Sequence, residues 1–179
     1  MQIINVLVLA SFCFIKISSK IKRNKKIKFF FKYQNENKLN KNFINNIDAL
    51  IPDPGANYKI DYIFINKFKK LRLIVTPSTG TNHIDMNLCK TRKIKVFCLL
   101  DDRKSLEKIT ASAEFTFTMI LIGLRKLKKV FNGNLFEWRS VEDSYRGYEL
   151  FNKKIGIVGY GRIGKKISKF CVPFGASCY

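Results

Sequence analysis

Three glycines close to the end of the sequence have the spacing that binds the pyrophosphate of a dinucleotide. Gly159, Gly161 and Gly164 lie in GYGRIG, directly after the apolar segment IGIV. In such a site the first glycine permits a tight turn and the second lets the backbone approach the pyrophosphate. The third lets a helix pack against the preceding strand, and the helix amides bind the phosphates. The alternative is a glycine-rich turn with no ligand.

The residues around these glycines predict the strand and the helix that the site requires. KKIGIVG is typical of a short buried strand, and RIGKKISKFC has the periodicity of an amphipathic helix. Pro173 should end that helix early because it removes an amide donor. GASCY then has the character of a second strand. The acidic residue that distinguishes NAD from NADP would lie at the far end of that strand, beyond Tyr179. The apolar helix face consists of Ile163, Ile167, Phe170 and Cys171.

The composition indicates a folded protein with a basic surface. Apolar residues make up 46% of the 179 residues, and the formal net charge is +21. Such a charge invites a nucleic-acid-binding interpretation. The lysines are scattered singly or in pairs, however, so we expect a solvated basic surface and no specific nucleic-acid site.

The cysteines and the histidine do not have the spacing of a metal site. The five cysteines are widely separated, with no C-x-x-C pair, and His83 is the single histidine. We therefore expect no metal, and reduced, partly buried thiols in a cytoplasmic protein. Because His83 stands beside a predicted helix start, we expect it to be a capping or surface residue.

An apolar run at residues 3–15 has the length of a signal peptide. Its positive charges follow it instead of preceding it, and it is shorter than the roughly 20 residues that span a bilayer as a helix. We interpret it as a buried first strand that leads into a helix, and we expect no membrane association. A signal or anchor segment is the alternative.

Short apolar runs alternate with lysine-rich helical segments, which predicts an α/β fold with a mainly parallel sheet. The loop IPDPGANYKI should turn the chain after its strand, because it contains two prolines and a glycine. Helices are predicted around residues 17–24, 62–68 and 86–92. Strands are predicted at residues 4–9, 27–31, 49–51, 73–76, 94–98 and 154–158.

The longest predicted helix has the sequence KITASAEFTFTMILIGLRKLKK. It begins near Thr110, whose hydroxyl is of a type that caps a first turn. Asn132–Gly133 is a plausible stop. The helix is apolar most of the way round, which is typical of helices buried between layers or at an interface. We therefore expect it to be shared by two lobes.

Four blocks in matching order resemble the D-isomer-specific 2-hydroxyacid dehydrogenases, from about residue 47 to residue 179. NIDALIPDPG resembles the family's strand that ends in a substrate-side loop. LRLIVTPSTGTNHIDMNLCKTRKIKVFCL resembles the segment with a G-x-x-N-I-D-like signature. ITASAEFTFTMILIGLRKL resembles the helix that crosses between the lobes, and the segment from NGNLFEWRS to FGA resembles the Trp-containing arm and the cofactor fingerprint.

The resemblance implies two lobes. A flavodoxin-like substrate lobe would cover residues 1–104. Residues 105–179 would hold the crossing helix, the arm and the first βαβ portion of a truncated Rossmann NAD-binding lobe. The implied activity is hydride transfer between a nicotinamide and a small 2-oxo or 2-hydroxy acid, with NAD as the cofactor and NADP not excluded. Members of the family are typically homodimers.

The resemblance also implies site residues. Thr79 and Gly80 match positions whose backbone amides hold the substrate carboxylate, a role that suits consecutive amides in a turn. The alternative is an ordinary turn in which Asn82 or Asp85 caps the next helix. The residues that match the family's pyrophosphate loop are Gly159, Tyr160, Gly161, Arg162, Ile163 and Gly164.

The family's catalytic arginine, histidine and glutamate lie in segments C-terminal to the fingerprint, so no catalytic residue is assigned here. His83 falls in a turn of the substrate lobe where the family has no acid/base. Hydride transfer requires a positioned acid/base and a clamp on the substrate, so we expect this chain to be inactive by itself. A nucleotide-binding module without catalysis, or an inactive remnant, is the alternative.

Overall fold

The computed structural model of the chain describes residues 3–11, 24–32, 39–133, 139 and 142–179. The chain divides into two compact units, Met1–Leu106 and Glu107–Tyr179, and each unit has its own hydrophobic core. The helix predicted at residues 17–24 lies, except for its last residue, outside the described part of the chain.

The first unit contains a sheet of five parallel strands in the order β2-β1-β3-β4-β5. This order, 2-1-3-4-5, is that of flavodoxin-like folds, so the predicted fold class is confirmed. All five strands match sequence predictions to within one residue at either end. Their bounds are β1 Ile4–Val8, β2 Ile27–Phe31, β3 Ala49–Ile51, β4 Leu73–Val75 and β5 Lys95–Phe97.

The first strand is buried on both faces. Leu7 packs into one apolar cluster with Leu50, whereas Val6 and Val8 pack into a second cluster on the other face. A strand covered on both sides reads as a continuous apolar run rather than an alternating one. The interpretation of the amino-terminal apolar segment as a buried strand is therefore confirmed for β1, whereas residues 12–15 of that segment lie outside the described part of the chain.

Four helices of the first unit begin at side-chain caps. Two of them, at 62–65 and 86–91, confirm predicted helices and are shorter than expected. The helix at 103–108 was not predicted, although Asp102 caps it by accepting from the Ser105 amide at 3.0 Å. The bounds are α1 Lys41–Ile44, α2 Tyr62–Ile65, α3 Met86–Thr91 and α4 Arg103–Lys108, the last of which runs into the second unit.

The second unit consists of helices followed by a βαβ element. Strands β6 Lys154–Ile155 and β7 Ser177–Cys178 pair in parallel, with α8 Arg162–Cys171 between them. This confirms the predicted strand–turn–helix–strand, and α8 ends before Pro173, as expected. In the described residues no helix is long and apolar enough to cross a membrane. The remaining helices are α5 Ala111–Leu124, α6 Leu127–Asn132 and α7 Glu142–Tyr145.

The long helix expected from Thr110 onward is divided into α5 and α6, so the prediction of one helix was wrong. Lys126 has a left-handed backbone, with φ of 51°. The Tyr148 amide donates to the Leu124 carbonyl at 2.7 Å. That bond satisfies a carbonyl at the end of α5 that would otherwise have no partner. The expected stop is confirmed at Gly133, which ends α6.

Two further expectations for the second unit were wrong. The Thr110 hydroxyl makes no bond to the first-turn amides and instead contacts the Glu114 carboxylate. The strand predicted at residues 154–158 is shorter and is not buried: Lys154 and Val158 are exposed, and Ile155 is half-buried. In the described part of the unit, β7 is its one paired neighbour, so the side of β6 away from β7 has no strand against it.

Candidate functional site

The three glycines of the fingerprint form one turn between β6 and α8. Gly159 has φ of +96°, a backbone conformation that glycine adopts without the penalty of a side chain. Gly161 is the residue immediately before α8 and has an extended backbone, with φ of −86° and ψ of −157°. The structure therefore has the tight turn predicted at Gly159, followed directly by the start of the helix.

The start of α8 offers unpaired amides. No side chain caps the helix, and its first backbone bond runs from the Lys165 amide to the Gly161 carbonyl at 2.9 Å. The amides of Arg162, Ile163 and Gly164 precede that bond and have no carbonyl within the helix to accept from them. Such amides, together with the helix dipole, stabilise an anion.

Gly161 and Gly164 are glycines for different reasons. A Cβ added at Gly161 would meet no protein atom within 4 Å, so the missing side chain leaves open space in front of the turn. A Cβ added at Gly164 would lie 2.5 Å from the Gly159 oxygen and 3.0 Å from Cγ2 of Ile157. The open space at Gly161 and the close packing at Gly164 both fit a bound dinucleotide.

Basic side chains line a cleft of 270 Å³ beside the turn. The Arg162 guanidinium donates to the Ile109 carbonyl at 2.9 Å, and the Lys166 ammonium donates to the Glu107 carbonyl at 2.7 Å. These bonds hold the start of α8 against the segment before α5. Lys165 and Lys169 complete the basic lining.

The surroundings of the turn correct one expectation. Ile163 was predicted on the buried face of α8, but its side chain is 38% exposed. Tyr160, in the glycine turn, is 60% exposed. Ile167 and Cys171 are buried as predicted, and Phe170 packs against the same cluster. The side chain of Ile163 in the first turn of α8 is therefore open to solvent, whereas Gly164 in the same turn is buried.

The second candidate site is the turn that follows β4 in the first unit. Among the residues that the structure describes, none accepts a hydrogen bond from the amides of Thr79 or Gly80. The Ser78 carbonyl accepts from the Leu99 amide at 2.9 Å, which fixes the turn to the segment after β5. This turn lies at the carboxyl ends of parallel strands, where ligands of doubly wound sheets bind.

A cluster of hydroxyls that the sequence did not predict supports this turn. Thr76, which is buried, has its Oγ1 2.8 Å from Ser78 Oγ and 3.1 Å from Nε2 of His83. Ser78 Oγ in turn donates to the Gly80 carbonyl at 2.7 Å. Side-chain to backbone bonding by serine and threonine is typical of turns, but the sequence does not show which partners they choose.

The expected role of His83 was wrong. It is half-buried, and Asp85 is the residue that caps α3, by accepting from the Leu88 amide at 2.9 Å. Burial lowers the pKa of His83 from its ordinary value of 6.5, and the charge of Asp53 partly opposes that shift. His83 is therefore an internal hydrogen-bonding residue of the turn rather than a helix cap or a surface side chain.

The cysteines in the described part of the chain are free thiols. Cys89 and Cys171 are buried, whereas Cys98 and Cys178 are half-buried; Cys13 lies outside the described residues. No three histidine, cysteine or acidic side chains come together there as a metal site would require. The glycine turn belongs to the second unit, and the turn with Thr79 and Gly80 belongs to the first.

Two family models match the chain. Residues 10–100 match the catalytic domain of the D-isomer specific 2-hydroxyacid dehydrogenases. Residues 117–179 match the NAD binding domain of the same family. The second match includes the whole glycine turn, and the first includes the turn with Thr79 and Gly80.

Individual proteins of this group are similar to parts of the chain. It is 32% identical to a formate dehydrogenase of Arabidopsis thaliana over 135 residues, which are 75% of this chain and 34% of that protein. It is 29% identical to the glyoxylate reductase of Pyrococcus furiosus, over 70% of this chain and 37% of that protein. The chain thus spans about a third of the length of these relatives.

Solved structures share the fold. An NAD-dependent formate dehydrogenase from Staphylococcus aureus, in complex with NAD, superimposes with a TM-score of 0.76 at 20% identity, over 98% of this chain and 55% of that one. A D-lactate dehydrogenase from Aquifex aeolicus, in complex with NAD and lactic acid, gives a TM-score of 0.72 at 21% identity, over 98% and 50%.

Proposed function

The chain belongs to the D-isomer specific 2-hydroxyacid dehydrogenase family, and we propose that it binds NAD at the glycine turn and a small 2-oxo or 2-hydroxy acid at the turn after β4. The family reaction is hydride transfer between the nicotinamide and that acid. NAD supplies the hydride acceptor or donor when it is bound; the chain's own residues orient it and hold the carboxylate.

The cofactor would be held by backbone more than by side chains. The amides of Arg162, Ile163 and Gly164 would donate to the pyrophosphate, and Gly161 would leave the space for it. Arg162 would keep its side-chain bond to Ile109 and so fix the start of the helix. Tyr160 is exposed beside the turn, where it can cover the bound nucleotide.

The acid would be held at the other turn. Thr79 and Gly80 present two neighbouring amides with no partner in the described residues, and consecutive amides of this kind bind an anion. We propose that the residues of this chain bind both ligands, and no acid/base is assigned among them.

The oligomeric state and the cellular location are proposed from exposed apolar side chains and from the free cysteines. Phe115, Met119 and Phe131 expose large apolar surfaces on α5 and α6, which supports a homodimer of the kind expected from the family. The free thiols support a cytoplasmic location.

The observation that carries the proposal is the contrast between Gly161, which faces open space, and Gly164, which is closely packed. Gly161 leaves open space in front of helix amides that have no acceptor within the helix, and a pyrophosphate would occupy that space and accept from those amides. Close contact at Gly164 brings the start of α8 onto the turn that would bind that ligand.

The proposal is tested by Gly161→Ala with Gly123→Ala as the matched control. Both alanines meet no protein atom within 4 Å, so neither should disturb the fold, but only Gly161 lies at the turn. We expect Gly161→Ala to weaken NAD binding at least about tenfold, because the methyl would occupy the space of the pyrophosphate and move it away from a helix amide, at the cost of one bond to a charged group. Calorimetry measures the affinity, and amide NMR spectra show whether each variant stays folded. Equal NAD affinity of both variants would contradict the site.

A further inference from the structure

We propose that Thr76 and His83 are positioning residues of the turn that binds the acid. A one-way chain of hydrogen bonds runs from His83 through Thr76 and Ser78 to the Gly80 carbonyl. It holds the turn so that the amides of Thr79 and Gly80 stay available to a carboxylate. The inference rests on the proposed function in naming a carboxylate as the ligand.

Counting hydrogens fixes the direction of the chain. A hydroxyl has one hydrogen to donate, and Ser78 uses its hydrogen on the Gly80 carbonyl at 2.7 Å. In the 2.8 Å contact between the two hydroxyls, Ser78 must therefore accept and Thr76 must donate. The Thr76 hydrogen is then spent, so Thr76 accepts in its 3.1 Å contact with His83. His83 consequently carries a hydrogen on Nε2, in its neutral form as well as its protonated form.

The donor end of the chain is held firmly. The Thr76 amide donates to the Phe97 carbonyl at 2.9 Å, and its side chain is buried at the end of β4. The His83 carbonyl accepts from the Ile60 amide at 2.7 Å, and the Asp85 amide donates back to Ile60 at 3.0 Å. Both partners are thus fixed by backbone bonds before their side chains meet.

The acceptor end is the exposed turn. Gly80 is exposed, and an added Cβ would meet no atom within 4 Å, so packing does not hold it. The Ser78 hydroxyl, the last donor of the hydrogen-bond chain, bonds to the Gly80 carbonyl. The Leu99 amide bonds to the Ser78 carbonyl. Two carbonyls of the turn are therefore engaged, while the amides of Thr79 and Gly80 have no acceptor among the described residues, as an anion-binding turn requires.

The first test uses the 179-residue chain without ligand. His83 is the only histidine, so its ring nitrogens give one pair of signals in ¹⁵N NMR. We expect hydrogen on Nε2 in the neutral ring; neutral His83 with hydrogen on Nδ1 would overturn the direction of the chain.

The second test compares variants that lose or keep each hydroxyl or donor. Thr76→Val and His83→Leu should lower the backbone ¹⁵N order parameters of Thr79 and Gly80, whereas Thr76→Ser and His83→Gln should preserve them. Ser78→Ala, at a half-buried position, should lower the same order parameters without changing the buried threonine. It therefore tests the hydrogen-bond chain even if Thr76→Val does not fold. Unchanged order parameters in Ser78→Ala would overturn the proposal.

The third test adds oxalate as the probe and follows the amide signals of Thr79 and Gly80. Thr76→Val should weaken oxalate binding about 2- to 10-fold, which corresponds to one lost hydrogen bond, and Thr76→Ser should not. Equal affinity of the two variants would overturn the positioning role. If the unmodified chain does not bind oxalate, the proposed function fails at this turn, whereas the tautomer and order-parameter results still decide the hydrogen-bond chain.

Discussion

Gly164 packs directly against the carbonyl oxygen of Gly159, and the position that its missing Cβ would take lies 2.5 Å from that oxygen. The contact joins the first turn of α8 to the turn that precedes it. Gly159 can present its carbonyl in this way because its φ is positive. The two glycines therefore depend on each other, one for conformation and the other for space.

Gly164→Ala should destabilise the second unit. The added methyl has no room, and overpacking of this kind costs about 1–3 kcal/mol. The free energy of local opening of α8 should fall by that amount, which hydrogen exchange of peptides from residues 162–171 measures. Gly123→Ala, which meets no atom within 4 Å, is the control. Exchange as slow in Gly164→Ala as in the control would show that α8 shifts to accept the methyl.

His83 should titrate below its ordinary pKa of 6.5. Burial lowers its pKa, and the charge of Asp53 acts in the opposite direction, so Asp53→Asn should lower it further. Because the pKa is depressed in the fold, stability from this group is present above pH 6.5 and is lost as the pH falls toward the folded pKa. The imidazole proton shift of this single histidine measures both values. A pKa above 6.5, or an upward shift in Asp53→Asn, would contradict the assignment.

Cys171 should resist alkylation. Burial, followed by its hydrogen bond with the Cys178 thiol and the charge of that group, raises the pKa of Cys171 to about 11. The thiolate is the reactive form, so iodoacetamide at pH 8 should modify the half-buried Cys98 well before Cys171. Since the unfolded chain loses this proton near pH 9, stability should fall as the pH rises from 9 to 11. Mass spectrometry of tryptic peptides gives the rates, and equal rates at the two cysteines would refute the expectation.

The hydrogen bond that the Asp48 carboxylate accepts should stabilise the sheet of the first unit more than the ion pair between Asp48 and Arg72 does. Its buried carboxylate accepts from the Asn5 amide at 2.9 Å, and it lies 3.6 Å from the guanidinium of the exposed Arg72. Asp48→Ala leaves that amide without its side-chain acceptor, at a cost of about 1–3 kcal/mol. Arg72→Met removes an exposed charge and should cost less than about 1 kcal/mol. Hydrogen exchange of β1 distinguishes them, and a larger loss in Arg72→Met would reverse the interpretation.

The strands were the most predictable part of the fold. The central strands β1 and β3 are short apolar runs because parallel strands covered on both faces need apolar residues at consecutive positions. The order of the strands did not follow from those runs; it was implied by the family resemblance and confirmed by the sheet. Helix lengths were less predictable, because the ends of α2 and α3 depend on one or two capping bonds.

The break between α5 and α6 could not be read from the sequence around it. Leu121 to Lys129 contains no proline, and Gly123, its one poor helix former, lies inside α5 rather than at the break. The end of α5 is set instead by Tyr148, whose amide reaches the Leu124 carbonyl from a distant part of the chain. Gly147 permits this approach, since an added Cβ would overlap that carbonyl and the backbone of Arg125.

At the candidate sites, too, one feature could be predicted from the sequence and another could not. The spacing of Gly159, Gly161 and Gly164 predicted the pyrophosphate turn, because each glycine answers a local requirement of the backbone. The partnership of Thr76, Ser78 and His83 was not predicted, because hydroxyls in a turn have several nearby acceptors and the sequence does not rank them.

The sequence by itself determined the α/β class, the positions of the strands and the glycine turn, since these follow from periodicity and from the backbone preferences of single residues. Tertiary structure alone decided where α5 ends, that Ile163 and Val158 are exposed, and that His83 bonds to Thr76. Those features depend on atoms brought together from separate segments, and the energy of such contacts is settled only when the whole chain has folded.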